Sequence, residues 1–569
     1  MTAGEKLGAW LIGVSVAVTR FAALSKTPWD SDEGRFISAL RGYDVVAHHP
    51  HPPGFPLFVA FAKLLTLIGI SGFHALQLLS LVASIAIVPA MIAAGTRFGI
   101  APRTTLIAAA LVSFFPNVWY FGGTAFSDVV SMTFSLVVIA VLLRGRLIEG
   151  GVLLGIAAAI RPQTLLIAAV PALVAVWRER KWGRAFAFAA IVAAIVLTSY
   201  GTAAHLSGGW PRYRQSLIDH EDYIATHDSF RAPLRPPMWE LFDNFFLRPY
   251  DAKVINVIVS ALLAIGGIAA LVRRDKPLLL ALATFGPFCL AAWALLDRFS
   301  TSRFSIGYAP LVAFFAAHGL AVIFSRRLEA IAATVVVAIM IVWTWPALRV
   351  VNDTVSPPFA AAQWIREHHA TAYVADEMGP IFDALLPDVP HADLPPGSPP
   401  LTALMRAGDV YVREGASSAP GSIVFQRERG RLAAIARSTR YFEVSIVPIA
   451  SAIDFPEGWY PPEKTWRWMG KRARIVLPPH LERMRIDLSL YVPLDALPAP
   501  PNVTITFNGA VIDRVHGNVE KSYDVTARTN APNELVIETD ETVNPAVRGL
   551  GGDTRDLGVR LNEISWSSR

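Results

Sequence analysis

Three carboxylates fall within four residues of one polar segment, Asp30-Ser31-Asp32-Glu33, and Arg35 follows directly. Carboxylates this close repel one another, which tends to raise the pKa of at least one. A carboxylate is also well suited to take a proton from an attacking hydroxyl or amine. The same residues read equally as a solvated loop in which Asp30 or Ser31 caps a helix. His48, His49 and His51 follow, close enough in sequence to share a metal, but no CxxC pair or HExxH helix accompanies them. A fourth acid, Asp128, opens an apolar run after Ser127, either as a helix cap or as an ionisable group at a membrane boundary. Guanidiniums complete the inventory. Arg161-Pro162 interrupts the apolar stretch from Ile148 to Trp177, and Arg298 and Arg303 sit in a later polar break. A guanidinium facing a cavity can grip a phosphate bidentately; for Arg161, snorkelling to the interface is the alternative.

The elements that must position these groups are apolar helices. The chain has 569 residues, of which only 17% are charged and 53% hydrophobic, whereas soluble domains average about 25% charged. Residues 1–350 hold 29 basic and 18 acidic residues; residues 351–569 hold 22 and 27. The basic excess therefore belongs to the apolar part and does not point to a nucleic-acid binder. Stretches long enough to approach the ~20 residues of a membrane span recur at Leu7–Leu24, His74–Ala94, Thr104–Trp119, Thr124–Leu143, Ile148–Ile160, Gln163–Trp177, Ala185–His205, Val254–Val272, Pro277–Leu296, Phe304–Phe324 and Leu328–Leu348.

That makes eleven, with Phe55–Ile70 a candidate twelfth. Charge decides against it. If Phe55–Ile70 lies along the interface, alternate loops gather 14 basic and five acidic residues on the side of the N-terminus, which the positive-inside rule makes the cytoplasm. Thirteen of the 18 acids, the Asp30–Glu33 cluster and Asp128 among them, then face outward. Pro52-Pro53 stiffens the entry to the surface-lying run. The aromatic loop from Leu206 to Lys253 reads as a surface helix pair over a cavity, with His220-Glu221-Asp222 and His227-Asp228 a distant metal possibility. The single cysteine, Cys289, reads as core packing. The N-terminal run is expected to stay as an uncleaved anchor.

In order and sidedness these motifs resemble the GT-C superfamily of integral-membrane glycosyltransferases, particularly bacterial aminoarabinose transferases and protein O-mannosyltransferases. Asp32-Glu33-Gly34-Arg35-Phe36 is similar to the family's Asp-Glu-x-x-Tyr signature, with Phe36 in place of Tyr. His51-Pro52-Pro53 resembles the Lys/His-Pro-Pro element that opens a membrane-surface helix, and Ser127-Asp128 and Arg161-Pro162 resemble the second outer-loop acid and an Arg-Pro span junction. The resemblance implies an inverting transfer of a sugar from a polyprenyl-phosphate donor to a glycan, lipid or protein acceptor on the outer face of a bacterial inner membrane. It implies Asp32 as the base, with Asp30 and Glu33 as substitutes, Asp128 orienting acceptor or sugar, and Arg161, His51, Arg303 and Arg35 at the leaving phosphate. No metal or other cofactor is expected.

From Ser356 the texture changes. Short helical and strand-like segments such as Ala360–Glu367, Thr371–Ala375, Val444–Pro448 and the helix-like Gly430–Arg437 indicate a small exported α/β domain over residues 351–452, with Pro387–Pro400 as a loop. Alternating segments from Arg474–Leu477 to Leu557–Trp566 indicate a β-sandwich over residues 453–569, which resembles jelly-roll, carbohydrate-binding-like modules. Trp459, Tyr460, Trp466 and Trp468 could stack on sugars or serve as core. The rival functions are a flippase for a lipid-linked glycan, against which no inverted repeat appears between the halves of the spans, and a non-catalytic glycan-binding membrane protein.

Overall fold

Prolines and capping residues set where the helices of the first 356 residues break. The computed structural model describes residues 1–227, 237–243, 253–295, 301–375, 377–393, 410–417, 421–435, 441–448, 453–461, 463, 466–477, 483–529 and 531–568. They divide into one unit of residues 1–356 with 429–440, and a second of residues 357–428 with 441–569.

The first unit is all helix: α1 (Ala3–Phe21), α2 (Ser31–Arg41), α3 (Pro56–Thr66), α4 (Gly72–Phe98), α5 (Pro102–Phe114), α6 (Pro116–Phe121), α7 (Asp128–Leu143), α8 (Leu147–Ile160), α9 (Thr164–Glu179), α10 (Trp182–Leu206), α11 (Trp210–His227), α12 (Met238–Phe242), α13 (Lys253–Arg273), α14 (Lys276–Leu295), α15 (Thr301–Phe304), α16 (Ala309–Ile323) and α17 (Arg326–Asp353). A helix occupies each of the eleven apolar stretches. Six described helical segments are long and apolar enough to cross a membrane, so the chain is a multi-pass membrane protein. The stretch Thr104–Trp119 is not one helix: Phe115 is extended (φ −56°, ψ 130°) ahead of Pro116, which opens α6. A residue before proline is pushed out of the helical region. Arg161 before Pro162 is extended for the same reason (φ −151°, ψ 123°), and this turns its side chain away from the α8 axis. Where α13 crosses α16, a Cβ on Gly266 would lie 2.0 Å from the Phe315 carbonyl oxygen, and one on Gly319 2.2 Å from that of Leu262. Such close backbone approach needs small residues, as in other membrane helix pairs.

The loop expected as a helix pair holds α11 and the five-residue α12; Asp228 of the His227-Asp228 pair lies outside the described residues. At the other end, α17 runs past Val350, and the strand-free link after it is tied back to the first loop. Asn352 Nδ2 donates to the Leu24 carbonyl at 2.8 Å, Lys26 N–H to the Val351 carbonyl at 2.8 Å, and Ser356 N–H to Thr27 Oγ1 at 2.8 Å. These bonds carry the first unit to Ser356. Residues Arg429–Arg440 also belong to it, unlike the expected placement in the α/β domain. Arg431 there donates to the Trp343 carbonyl at 3.0 Å and lies over the Trp343 ring.

In the second unit, strands β1 (Ala372–Val374), β2 (His391–Asp393), β3 (Val410–Glu414), β4 (Ile423–Gln426) and β5 (Glu443–Pro448) form a sheet in the order β2-β1-β3-β5-β4. β2 corrects the expected loop: it pairs parallel with β1 inside the proline-rich stretch. Strands β6 (Asp454–Trp459), β7 (Arg467–Leu477), β8 (Arg483–Tyr491), β9 (Val503–Phe507), β10 (Ala510–Val515), β11 (Val519–Thr526), β12 (Asn533–Thr539) and β13 (Arg560–Ser568) form an eight-stranded sheet. It runs β10-β9-β12-β7-β13-β8-β11, with β6 beside β7. Alternate residues of these strands, such as Met484, Ile486, Leu488 and Leu490 of β8, share one apolar core.

Candidate active site

The first acidic cluster is sorted by helix geometry. Asp30 is the N-cap of α2, its Oδ1 accepting the Asp32 N–H at 2.9 Å. Successive helical residues point about 100° apart, so Asp32 and Glu33 diverge. Glu33 is fully buried; its Oε2 accepts the Trp29 N–H at 2.7 Å and its Oε1 the Ala125 N–H at 2.9 Å. With no cation paired to it among the described residues, burial pushes its pKa up to about 8 against those two bonds. Glu33 thus braces the start of α2 against the loop before α7, and of the three acids only Asp32 pairs with the cations.

Asp32 keeps 21% of its side chain exposed. Arg303 Nη1 donates to its Oδ2 at 2.7 Å, and its Oδ1 has Arg35 Nη1 at 3.6 Å and His51 Nδ1 at 3.5 Å. Burial opposes ionisation of this carboxyl, but the Arg303 and Arg35 guanidiniums hold it well below the ordinary carboxylate range. Asp128, at the start of α7, is almost wholly buried; its Oδ1 lies 2.5 Å from Arg161 Nη1 and its Oδ2 3.5 Å from Arg303 Nε. Arg303 therefore bridges the two acids, its guanidinium stacked 4.8 Å from the Phe126 ring centroid. Burial works against its charge, yet Asp128 and Asp32, with Asp30 behind them, raise its pKa. Arg161 donates to Ser127 Oγ at 3.3 Å and lies over Phe55.

The turn that presents His51 is built by backbone constraints. Gly54 has φ +107°, and a Cβ there would fall 2.4 Å from Tyr43 Oη and 2.8 Å from Val45 Cγ2. Tyr43 donates to the Gly54 carbonyl and Tyr213 of α11 to that of Pro53, both at 2.8 Å. Phe36 sits edge-on to His51, Phe55 and Phe58. Burial pushes the His51 imidazole down to about 3 despite Asp32, with Arg35 and Arg303 adding to the push. Burial thus disfavours the cationic form expected of His51. It can still donate a hydrogen bond.

The structure thus brings together Asp32, Asp128, Arg35, Arg161, Arg303 and His51, and turns Asp30 and Glu33 to other work. Sequence reasoning missed Phe126 and Ser127 as supports of the arginines. His220, singled out in the sequence only as a distant metal possibility, has its ring 6.0 Å from that of His51. Four buried atoms of the cluster, Arg35 Nε, His51 Nδ1, Arg303 Nε and Asp128 Oδ2, have no hydrogen-bond partner. Three of them stand in ion pairs at 3.5 Å, Arg303 Nε with Asp128 Oδ2 and His51 Nδ1 with Asp32 Oδ1. Three guanidiniums meet two carboxylates in these ion pairs, leaving a surplus of positive charge. No group of three His, Cys, Asp or Glu among the described residues is arranged to hold a metal ion.

No family model and no curated protein matches the chain by sequence. Among solved structures it is similar to ArnT from Cupriavidus metallidurans bound to undecaprenyl phosphate, with a TM-score of 0.51 and 12% identity over 78% of this chain and 98% of that one. The fold is GT-C. The apo form of the same ArnT matches at TM-score 0.48 and 13% identity, over 78% of this chain and 98% of that one. The arabinofuranosyltransferase AftD from Mycobacteria matches at TM-score 0.43 and 12% identity, over 99% of this chain and 61% of that one. Within the GT-C fold of this chain, both acids of the cluster sit at the start of helices, α2 and α7, that follow polar loops.

Proposed function

We propose that the protein is an inverting membrane glycosyltransferase that moves a sugar from a polyprenyl-phosphate donor to an acceptor on the non-cytoplasmic face. The observation that carries this reading is Arg303 held between Asp32 and Asp128, beside Arg35 and Arg161. A half-buried carboxylate base and a set of phosphate-ready cations share one cluster. The ArnT to which the fold is similar was solved with undecaprenyl phosphate, a ligand of the same chemistry.

The geometry supports a definite order of events. Asp32 latched to Arg303 is a weak base, because its proton affinity is suppressed by the guanidinium. Donor phosphate competes for Arg303, Arg35 and Arg161, and as it draws those charges the proton affinity of Asp32 rises. Asp32 then takes the proton of the acceptor hydroxyl, whose oxygen attacks the anomeric carbon. The bond to the phosphate oxygen breaks with its electron pair, and polyprenyl phosphate leaves into the cations, which stabilise the developing charge. Asp128, fixed by Arg161, keeps Arg303 in place. The isoprenoid tail stays in lipid throughout, so the site needs only to receive the head group. The N-terminus is read as cytoplasmic and the second unit as extracytoplasmic, from the charge of the loops.

The test is a transfer assay on the purified protein with a panel of polyprenyl-phosphate sugars. Wild type should transfer at least one of them, and Asp32→Asn should abolish transfer while leaving donor binding. Transfer that survives loss of the Asp32 carboxylate would sink the mechanism. Movement of the lipid-linked sugar across vesicles without bond cleavage would favour a flippase.

A further inference from the structure

Outside the membrane unit, the β-sandwich places three aromatic rings around one guanidinium on its outer face. In β8 the core side chains are Met484, Ile486, Leu488 and Leu490, so Arg483, Arg485, Asp487, Ser489 and Tyr491 project to the opposite side. Arg560 of β13 is the register partner of Tyr491 on one side and of Trp468 of β7 on the other. Directly paired residues share a face. Trp468, Arg560 and Tyr491 therefore form one row across three strands, away from the core. The Arg560 guanidinium lies 4.5 Å from the Tyr491 ring centroid, 5.7 Å from that of Trp468 and 5.2 Å from that of Trp466.

The row has no structural need of this composition. All four side chains are half-buried, and none of the rings belongs to the apolar core of the sheet. Arg560 forms no ion pair among the described residues. Its one hydrogen bond there runs from Nε to Asn562 Oδ1 at 3.0 Å, which leaves the Nη groups without a protein acceptor. Asn562 also reaches Ser489 Oγ at 3.4 Å, so a polar edge borders the rings. Aromatic faces offer a surface for the C–H face of a sugar ring. A guanidinium set among rings, with its Nη groups unclaimed by an acceptor among the described residues, suits a carboxylate or phosphate.

We propose that the Trp468–Arg560–Tyr491 row binds an acidic glycan, one whose sugars carry a carboxylate or a phosphate. It is a binding site separate from the transfer chemistry and stands whether or not the proposed reaction is correct. The experiment is calorimetric titration of the full-length protein in detergent with hexagalacturonate and with mannose 6-phosphate. Maltohexaose and inorganic phosphate are the controls for ring stacking and for charge alone.

At least one acidic probe should bind tenfold or more tightly than both controls, and added salt should weaken it. Arg560→Gln and Trp468→Ala should each weaken that binding at least tenfold, with unchanged melting temperature. Arg560→Lys, which keeps the charge but not the fork, should fall between, and serves if the glutamine variant does not fold. Hexagalacturonate and mannose 6-phosphate separate a uronate from a phosphosugar. Equal binding of maltohexaose, equal binding of inorganic phosphate, no binding of any probe, or binding unaltered in both variants would each overturn the proposal.

Discussion

Glu33 Oε1 accepts the backbone N–H of Ala125 at 2.9 Å, joining two loops whose contact residues are 92 positions apart. Since Oε2 takes the Trp29 N–H, one side chain fixes the relative position of the segments that carry Asp32 and Asp128. Glu33→Gln replaces one acceptor with an NH2 that faces a backbone N–H. We expect a loss of about 1–3 kcal/mol, the usual cost of an unsatisfied buried group, read in thermal melts.

The same residue predicts a pH dependence. Its folded pKa, about 8, lies above the ordinary 4.5. The stability it contributes is therefore complete below pH 4.5 and is lost as pH rises through 8, because the folded state holds the proton longer than the unfolded chain. The melting temperature of wild type should fall across that window. Glu33→Gln should flatten the fall, and an unchanged slope would show that Glu33 is not the group responsible.

Asp32 has the opposite sign. With its pKa held below the ordinary range, its contribution is present above its unfolded pKa and is lost only as pH falls through the lower folded value. Removing the Arg303 charge, as in Arg303→Gln, should raise the Asp32 pKa and move the acid limb of kcat/KM to higher pH. Transfer should also slow by roughly 10²-fold or more, the scale of a lost electrostatic stabiliser. An acid limb that stays in place would remove Arg303 as the latch on Asp32.

Arg161→Ala leaves Asp128 buried with its 2.5 Å partner gone. Breaking one side of a buried pair costs about 3–5 kcal/mol, so the variant should be markedly less stable. The double variant Arg161→Leu with Asp128→Asn should recover part of that loss but not the donor affinity. Binding of polyprenyl phosphate to the double variant, measured by fluorescence anisotropy, distinguishes a phosphate ligand from a purely structural ion pair. Unaltered affinity would exclude Arg161 from the phosphate site.

Much of this arrangement was legible in the sequence because lipid imposes a simple requirement: apolar length. Each of the eleven apolar stretches holds a helix, and the charged residues between them include those that the fold gathers into one cluster. What composition could not separate was Asp32 from Glu33. They are adjacent and chemically alike, and only the turn of α2 sends one to two guanidiniums and an imidazole and the other to two backbone amides. The bond between Arg303 and Asp32 spans 271 positions, so no local pattern announces it. His51 read as a cation because burial is invisible in a motif. The break at Pro116 and the strand His391–Asp393 were missed for opposite reasons, a proline outweighed by apolar neighbours and a strand hidden among prolines.

The bonds from the end of α17 to the first loop have a consequence for how the molecule is made. Lys26 and Leu24 leave the ribosome early, but their partners Val351 and Asn352 emerge more than three hundred residues later. Arg303, too, is synthesised long after Asp32. The first loop must therefore wait, inserted but unfastened, until almost the entire helical unit has been translated. A nascent chain stopped before α17 would carry the residues of the cluster without the clasp that holds their loop. Competence should appear late and abruptly during biosynthesis, once the end of α17 has been made.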